Sequence, residues 1–179
     1  MKNSLPIWQL AGLTFTAVLG TLLHFLYEWT GIFALAPISA VNESTFEHMK
    51  ILFFPMLFFA LVQSKFFKKD HPSFWCVKFI CVTLGTLLIP VLFYTYNGAF
   101  GKSPDWFNIS SFFLAAGAAY FVETKLFKRE QTKKTAKNRC DLAKILLVVW
   151  ALLFIFFTFA PPHLPLFQDP ISNLYGIQK

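Results

Sequence analysis

AKILLVVWALLFIFFTFA, residues 143–160, carries a single charge, Lys144, in 18 positions. A helix that is apolar all round is either buried in protein or embedded in lipid. At about 1.5 Å per residue, a run of roughly 20 residues crosses a hydrocarbon core of roughly 30 Å. Four comparable runs precede it, at 7–27, 45–64, 75–96 and 107–124. The pattern predicts an all-α integral membrane bundle of five transmembrane helices forming a single domain over residues 1–179.

Composition agrees. The chain is 56% hydrophobic with 24 Phe, against about 45–50% apolar in an ordinary soluble domain. The excess lies in the five runs, and what remains between them is too short for a second, soluble domain. The first run is read as a retained helix and not a cleaved leader. Lys2 and Ala34-Leu35-Ala36 imitate a charged start and a cleavage site, but the run is 21 residues long and Pro37 follows; leader cores span about 7–15 residues.

The net charge of +7 does not point to nucleic acid, because of where it lies. Lys2, the lysines at 65, 68, 69 and 78, and the eight basic residues between Lys125 and Lys144 all fall on one side of a five-span topology. They make up 13 of the 16 basic residues. Basic connections stay in the cytoplasm, which places the N-terminus inside and the C-terminus outside. Cys76, Cys81 and Cys140 lie near that inner side, where thiols stay reduced, and no disulfide is expected. The tail from 161 onward holds Pro161, Pro162, Pro165 and Pro170, so it cannot extend the fifth helix and is expected to fold over the outer face.

The outer side collects the chemistry. Glu28, Glu43, Glu47, Asp105 and Asp169 lie there with His24, His48, His163 and Lys50. Imidazoles among excess carboxylates form a ligand inventory for a divalent metal such as zinc. His24 and Glu28 are four residues apart and share a helix face. The candidate metal ligands are His24, Glu47, His48, His163 and Asp169. Glu43 and Glu28 are candidate general bases, and Lys50 a candidate anion or oxyanion contact. Each residue also has an ordinary structural role open to it. Ser44-Thr45-Phe46-Glu47 fits a capping box in which Glu47 reaches back to the Ser44 N–H. Asn42 suits a turn, Lys50 can pair with Glu47, and Glu28 and His163 can be solvated loop or interface groups. Glu123, on the inner side, is expected to pair with Lys78 or Lys125.

Glycine-rich phosphate loops, CxxC pairs, GxSxG elbows and HExxH motifs are absent from the sequence. Three stretches together, HFLYEWTG (24–31), VNESTFEHMK (41–50) and PPHLPLFQDPISNLYG (161–176), resemble a domain-of-unknown-function family of small bacterial multi-pass membrane proteins. The resemblance covers essentially the whole chain. It implies the bacterial cytoplasmic (inner) membrane and carries no catalytic role. A looser similarity, of chemistry alone, links the outer cluster to intramembrane zinc hydrolases of the ceramidase type, whose paired-histidine HxxxH element this chain lacks.

Three functions fit these residues. The first is a structural or binding module in which the outer polar set ties the first two spans to the tail. The second is a metal-dependent hydrolase acting on a lipid or its headgroup at the outer leaflet. The third is a small transporter subunit, disfavoured because spans three to five offer almost no polar lining. Membrane lipids are the expected partners, with a second copy of the chain or another membrane protein also open, and nucleic acid is not expected.

Overall fold

The computed structural model describes residues 5–130 and 140–177. Lys2, Lys133, Lys134, Lys137, Arg139 and Lys179, on which part of the orientation argument rests, lie outside the described residues, as does much of the charged 125–142 connection. Five long helices follow one another: α1 (Leu5–Thr30), α2 (Thr45–Phe67), α3 (Phe74–Phe100), α4 (Asp105–Glu130) and α5 (Cys140–Phe159). Short 3-10 turns occupy Phe33–Leu35 and Pro165–Phe167. The described residues contain no strand, only an isolated bridge between Gln168 and Tyr175 in the tail.

Four helices, α1, α2, α3 and α5, are long and apolar enough to cross a membrane. The five expected runs correspond to five helices, these four among them. The exception, α4, has the length, 26 residues, but Asn108, Ser110, Ser111, Glu123 and Thr124 dilute its apolar run. Several of its polar groups are turned inward. Tyr120 Oη lies 2.9 Å from Thr16 Oγ1 of α1. Glu123, fully buried, accepts from Lys78 Nζ at 2.6 Å and from Gln9 Nε2 at 2.9 Å. The expected Glu123–Lys78 pair is thus formed, and it links α4 to α3 and α1.

The centre of the bundle is α2. From Ile51 to Val62 it carries no polar side chain, and Ile51 to Phe54, Met56, Phe59 and Ala60 are all buried. It packs against α1 and α3 and touches α5. Pro55 and Pro90 lie inside α2 and α3 without ending either helix. Small side chains on α4 admit α3 closely. Ala115, Ala116 and Ala119 are fully buried, and a Cβ added at Gly85 would stand 3.0 Å from Ala119 Cβ.

The tail folds back onto the start of α2. Phe167 is buried, its ring centroid 4.5 Å from Phe46 and 5.4 Å from Phe157, while Asn42 Nδ2 donates to the Gly176 carbonyl at 2.8 Å. One expectation is corrected. Cys76 and Cys140, read as free thiols, form a disulfide joining the starts of α3 and α5, with Cα atoms 4.9 Å apart. Two cysteines 64 residues apart become neighbours only once α3 and α5 pack together. Cys81 is free and buried.

Candidate metal centre

His24 extends a stripe on α1 that begins with Thr16 and Gly20, both buried against other helices. Each is four residues from the next, so all three share one face. A Cβ at Gly20 would meet the Phe112 ring at 2.5 Å and the Ile51 carbonyl at 2.9 Å; only glycine lets α1 approach α2 and α4 here. One turn further on, His24 is delivered to the gap between α1 and α2.

His48 lies in the first turn of α2. That helix starts where Ser44 Oγ accepts the Glu47 N–H at 3.4 Å. The Ser44 carbonyl lies 2.9 Å from His48 Nδ1, so Nδ1 is the protonated nitrogen and Nε2 carries the lone pair. This is how metal-binding histidines are oriented. Glu43 lies in the loop before the helix. Its neighbour Asn42 fixes that loop twice: the side-chain carbonyl accepts the Ser44 N–H at 2.9 Å, and the amide reaches Gly176.

The three side chains converge. His24 Nε2 and His48 Nε2 are 3.3 Å apart, and Glu43 Oε2 is 3.5 Å from the first and 3.6 Å from the second. Among the described residues this trio forms a group of ligand atoms all within 4.8 Å of one another. A long hydrogen bond from His24 holds the Glu43 carboxyl below its ordinary value, opposed by partial burial and helped by the nearby His48. The cluster opens into a cavity of about 780 Å³ between α1, α2, α3 and α4.

Of the candidate ligands, His24 and His48 are brought together. Glu43, read from sequence as a base, stands at ligand distance beside them. Glu47 and Lys50 are elsewhere: they point toward α5, fully buried, with Lys50 Nζ 2.5 Å from Glu47 Oε2, 2.9 Å from the Ala36 carbonyl and 2.8 Å from Thr158 Oγ1. Glu47 Oε2 also accepts the Val41 N–H at 3.1 Å, so only half of the capping box forms. Ser44 caps the helix, while the Glu47 carboxylate serves Val41 and Lys50. Asp169 is buried and organises its own turn, accepting the Ile171 N–H and the Ser172 hydroxyl at 2.8 Å each. It sits near enough to influence Glu43 and His48 by charge. His163 is exposed and packs on Tyr175 at 4.7 Å. Glu28 is exposed and outside the cavity lining. Sequence reasoning missed Thr158, although a lone hydroxyl inside the fifth apolar run was a visible signal. It also missed Lys102 and Asn108, which line the cavity.

A bundle with four membrane-capable helices and a two-histidine, one-carboxylate cluster defines a class without assigning an activity. The chain belongs to the family of unknown function DUF6512, whose model matches residues 1–177. No curated protein and no solved structure matches it.

Proposed function

We propose that the protein resides in the bacterial cytoplasmic membrane with five spans and its N-terminus inside, and that it binds a divalent cation through His24, Glu43 and His48 for hydrolysis of a lipid or lipid headgroup. The observation that carries this reading is the set of three separations, 3.3, 3.5 and 3.6 Å. All three lie at or beyond the long end of a hydrogen bond to nitrogen, usually 2.7–3.2 Å. They match the edge of a tetrahedron whose centre lies about 2.0–2.2 Å from each corner, which is about 3.3–3.6 Å. Two imidazoles and a carboxylate are a known zinc donor set that leaves a fourth position for water. A cation held there by His24, Glu43 and His48 would lower the pKa of a bound water toward neutrality and polarise a carbonyl or phosphoryl oxygen. The chain's own contribution is orientation: Ser44 fixes the His48 ring, and Asn42 fixes the loop that holds Glu43.

The purely structural reading loses support from the way the polar groups divide. Asn42, Glu47, Lys50 and Thr158 already tie α2 to the tail, the 36–41 loop and α5. The histidines and Glu43 are not needed for that task. Metal analysis by mass spectrometry on detergent-purified protein tests the proposal. About one zinc or similar ion per chain is expected, falling sharply in His24→Ala and in His48→Ala. Metal well below one per chain, unchanged by either substitution and after zinc is added back, sinks the metal centre. The cluster is then a proton-sharing polar link between α1 and α2.

A further inference from the structure

The geometry points to a substrate class for this centre: a bilayer lipid with an anionic headgroup, entering sideways between the outer halves of α1 and α4. The inference rests on the proposed membrane setting and deepens the reading of the cluster as the reacting end.

The two helices are antiparallel and touch from their inner ends as far as Gly20 and Phe112. Gln9 meets Glu123, Thr16 meets Tyr120, and Gly20 meets Phe112. Beyond Gly20 the cavity lies between them, bordered by Thr21, His24 and Phe25 on α1 and by Asn108, Ile109 and Phe113 on α4. Phe25, Ile109 and Phe113 are 37%, 62% and 45% exposed. Apolar side chains this open at the border of a cavity face hydrocarbon when the helices lie in a bilayer. The opening is therefore lateral, and the medium it opens to is acyl chain.

The other end of the cavity is polar. Nδ1 of His24 and Oδ1 of Asn108 are shielded from solvent without a hydrogen-bond partner among the described residues. Shielded polar atoms of this kind are costly unless a ligand or water satisfies them. Lys102, exposed at the rim, makes no ion pair among the described residues, and the adjoining Asn97 is committed to the Phe93 carbonyl and to Ser103. Lys102 lines the same cavity as the His24–Glu43–His48 cluster. With a divalent cation on that cluster the positive charge outweighs the Glu43 and Asp105 carboxylates of the lining, which suits a phosphate; the apolar border suits the chain attached to it. At about 780 Å³ the cavity falls within the range of roughly 300–1,000 Å³ usual for small-molecule sites.

The test uses the full chain in phosphatidylcholine nanodiscs with two probes, a phosphatidylglycerol and a phosphatidylcholine, each carrying a diazirine in one acyl chain. Cross-links mapped by mass spectrometry should concentrate on residues 21–25 and 109–113, several-fold more with the phosphatidylglycerol probe. Lys102→Ala should bring the two probes level. Thr21→Trp, which fills the border from a position whose hydroxyl serves only its own helix, should cut the cleft labelling about tenfold with metal content unchanged. Labelling spread evenly around the bundle in the native protein overturns the lateral cleft, and equal labelling by both probes overturns the anionic headgroup. Cleft labelling in a protein without metal removes the metal centre and leaves the lipid site. Stoichiometric metal with scattered labelling does the reverse.

Discussion

Lys50 is 0% exposed and its ammonium is fully engaged by Glu47, the Ala36 carbonyl and Thr158. Removing one partner of such a pair leaves a stranded charge, so Glu47→Gln or Lys50→Met alone should each destabilise the protein by about 3–5 kcal/mol. The double variant should recover much of that loss, as read by thermal unfolding in detergent. Glu43→Gln is expected to behave in the opposite way, scarcely moving the unfolding temperature of the metal-free protein while lowering zinc affinity. Asn42→Ala, which frees the loop without removing a ligand, should weaken zinc binding by roughly tenfold, in line with losses of orienting groups around metals; a competition titration with a chelating dye reads both. The Glu47–Lys50 pair was legible, since three residues on a helix are neighbours. Which acid joins the histidines was not. Glu43 precedes the helix, and its position depends on a bond from Asn42 to Gly176, 134 residues away, which no local pattern encodes.

Among the helices, Gly85 and Gly117 make a natural comparison. The first faces Ala119 across the α3–α4 contact, and the second has open space around it. Gly85→Leu should cost about 1–3 kcal/mol by overpacking, whereas Gly117→Leu should leave the unfolding temperature unchanged or slightly raised. Helix number and order could be read from the hydrophobic runs, and the ends differ by only a few residues. The reason α4 is more polar than its neighbours could not. Its Tyr120 and Glu123 are answered by Thr16, Gln9 and Lys78 on α1 and α3, and those partners are fixed by packing. The central place of α2 follows from its having no polar face along most of its length, a feature visible in the residues once the number of helices is known.

For the molecule as a whole, the described basic residues around the ends of α2 and α4 (Lys65, Lys68, Lys69, Lys125, Lys128 and Arg129) and the Cys76–Cys140 pair sit at the same end, where charge predicts the cytoplasm and the disulfide favours an oxidising compartment. Labelling intact cells with a membrane-impermeant maleimide addresses the disagreement. Lys102→Cys should react from outside, and Lys125→Cys only after permeabilisation. The cross-linked Cys76–Cys140 peptide should be recovered when thiols are trapped before lysis; the reverse labelling pattern would falsify the assigned orientation. The Lys50 anchor carries a consequence for how the chain is made. Glu47 and Lys50 can pair as soon as α2 emerges from the ribosome, but Thr158, 108 residues later, arrives with the last helix. Until then the two charges lack Thr158 and the cover of α5, so the nascent protein carries a built-in sign of incompleteness. A chain stopped before α5 would retain it, and membrane quality-control proteases should remove such fragments far faster than the finished protein.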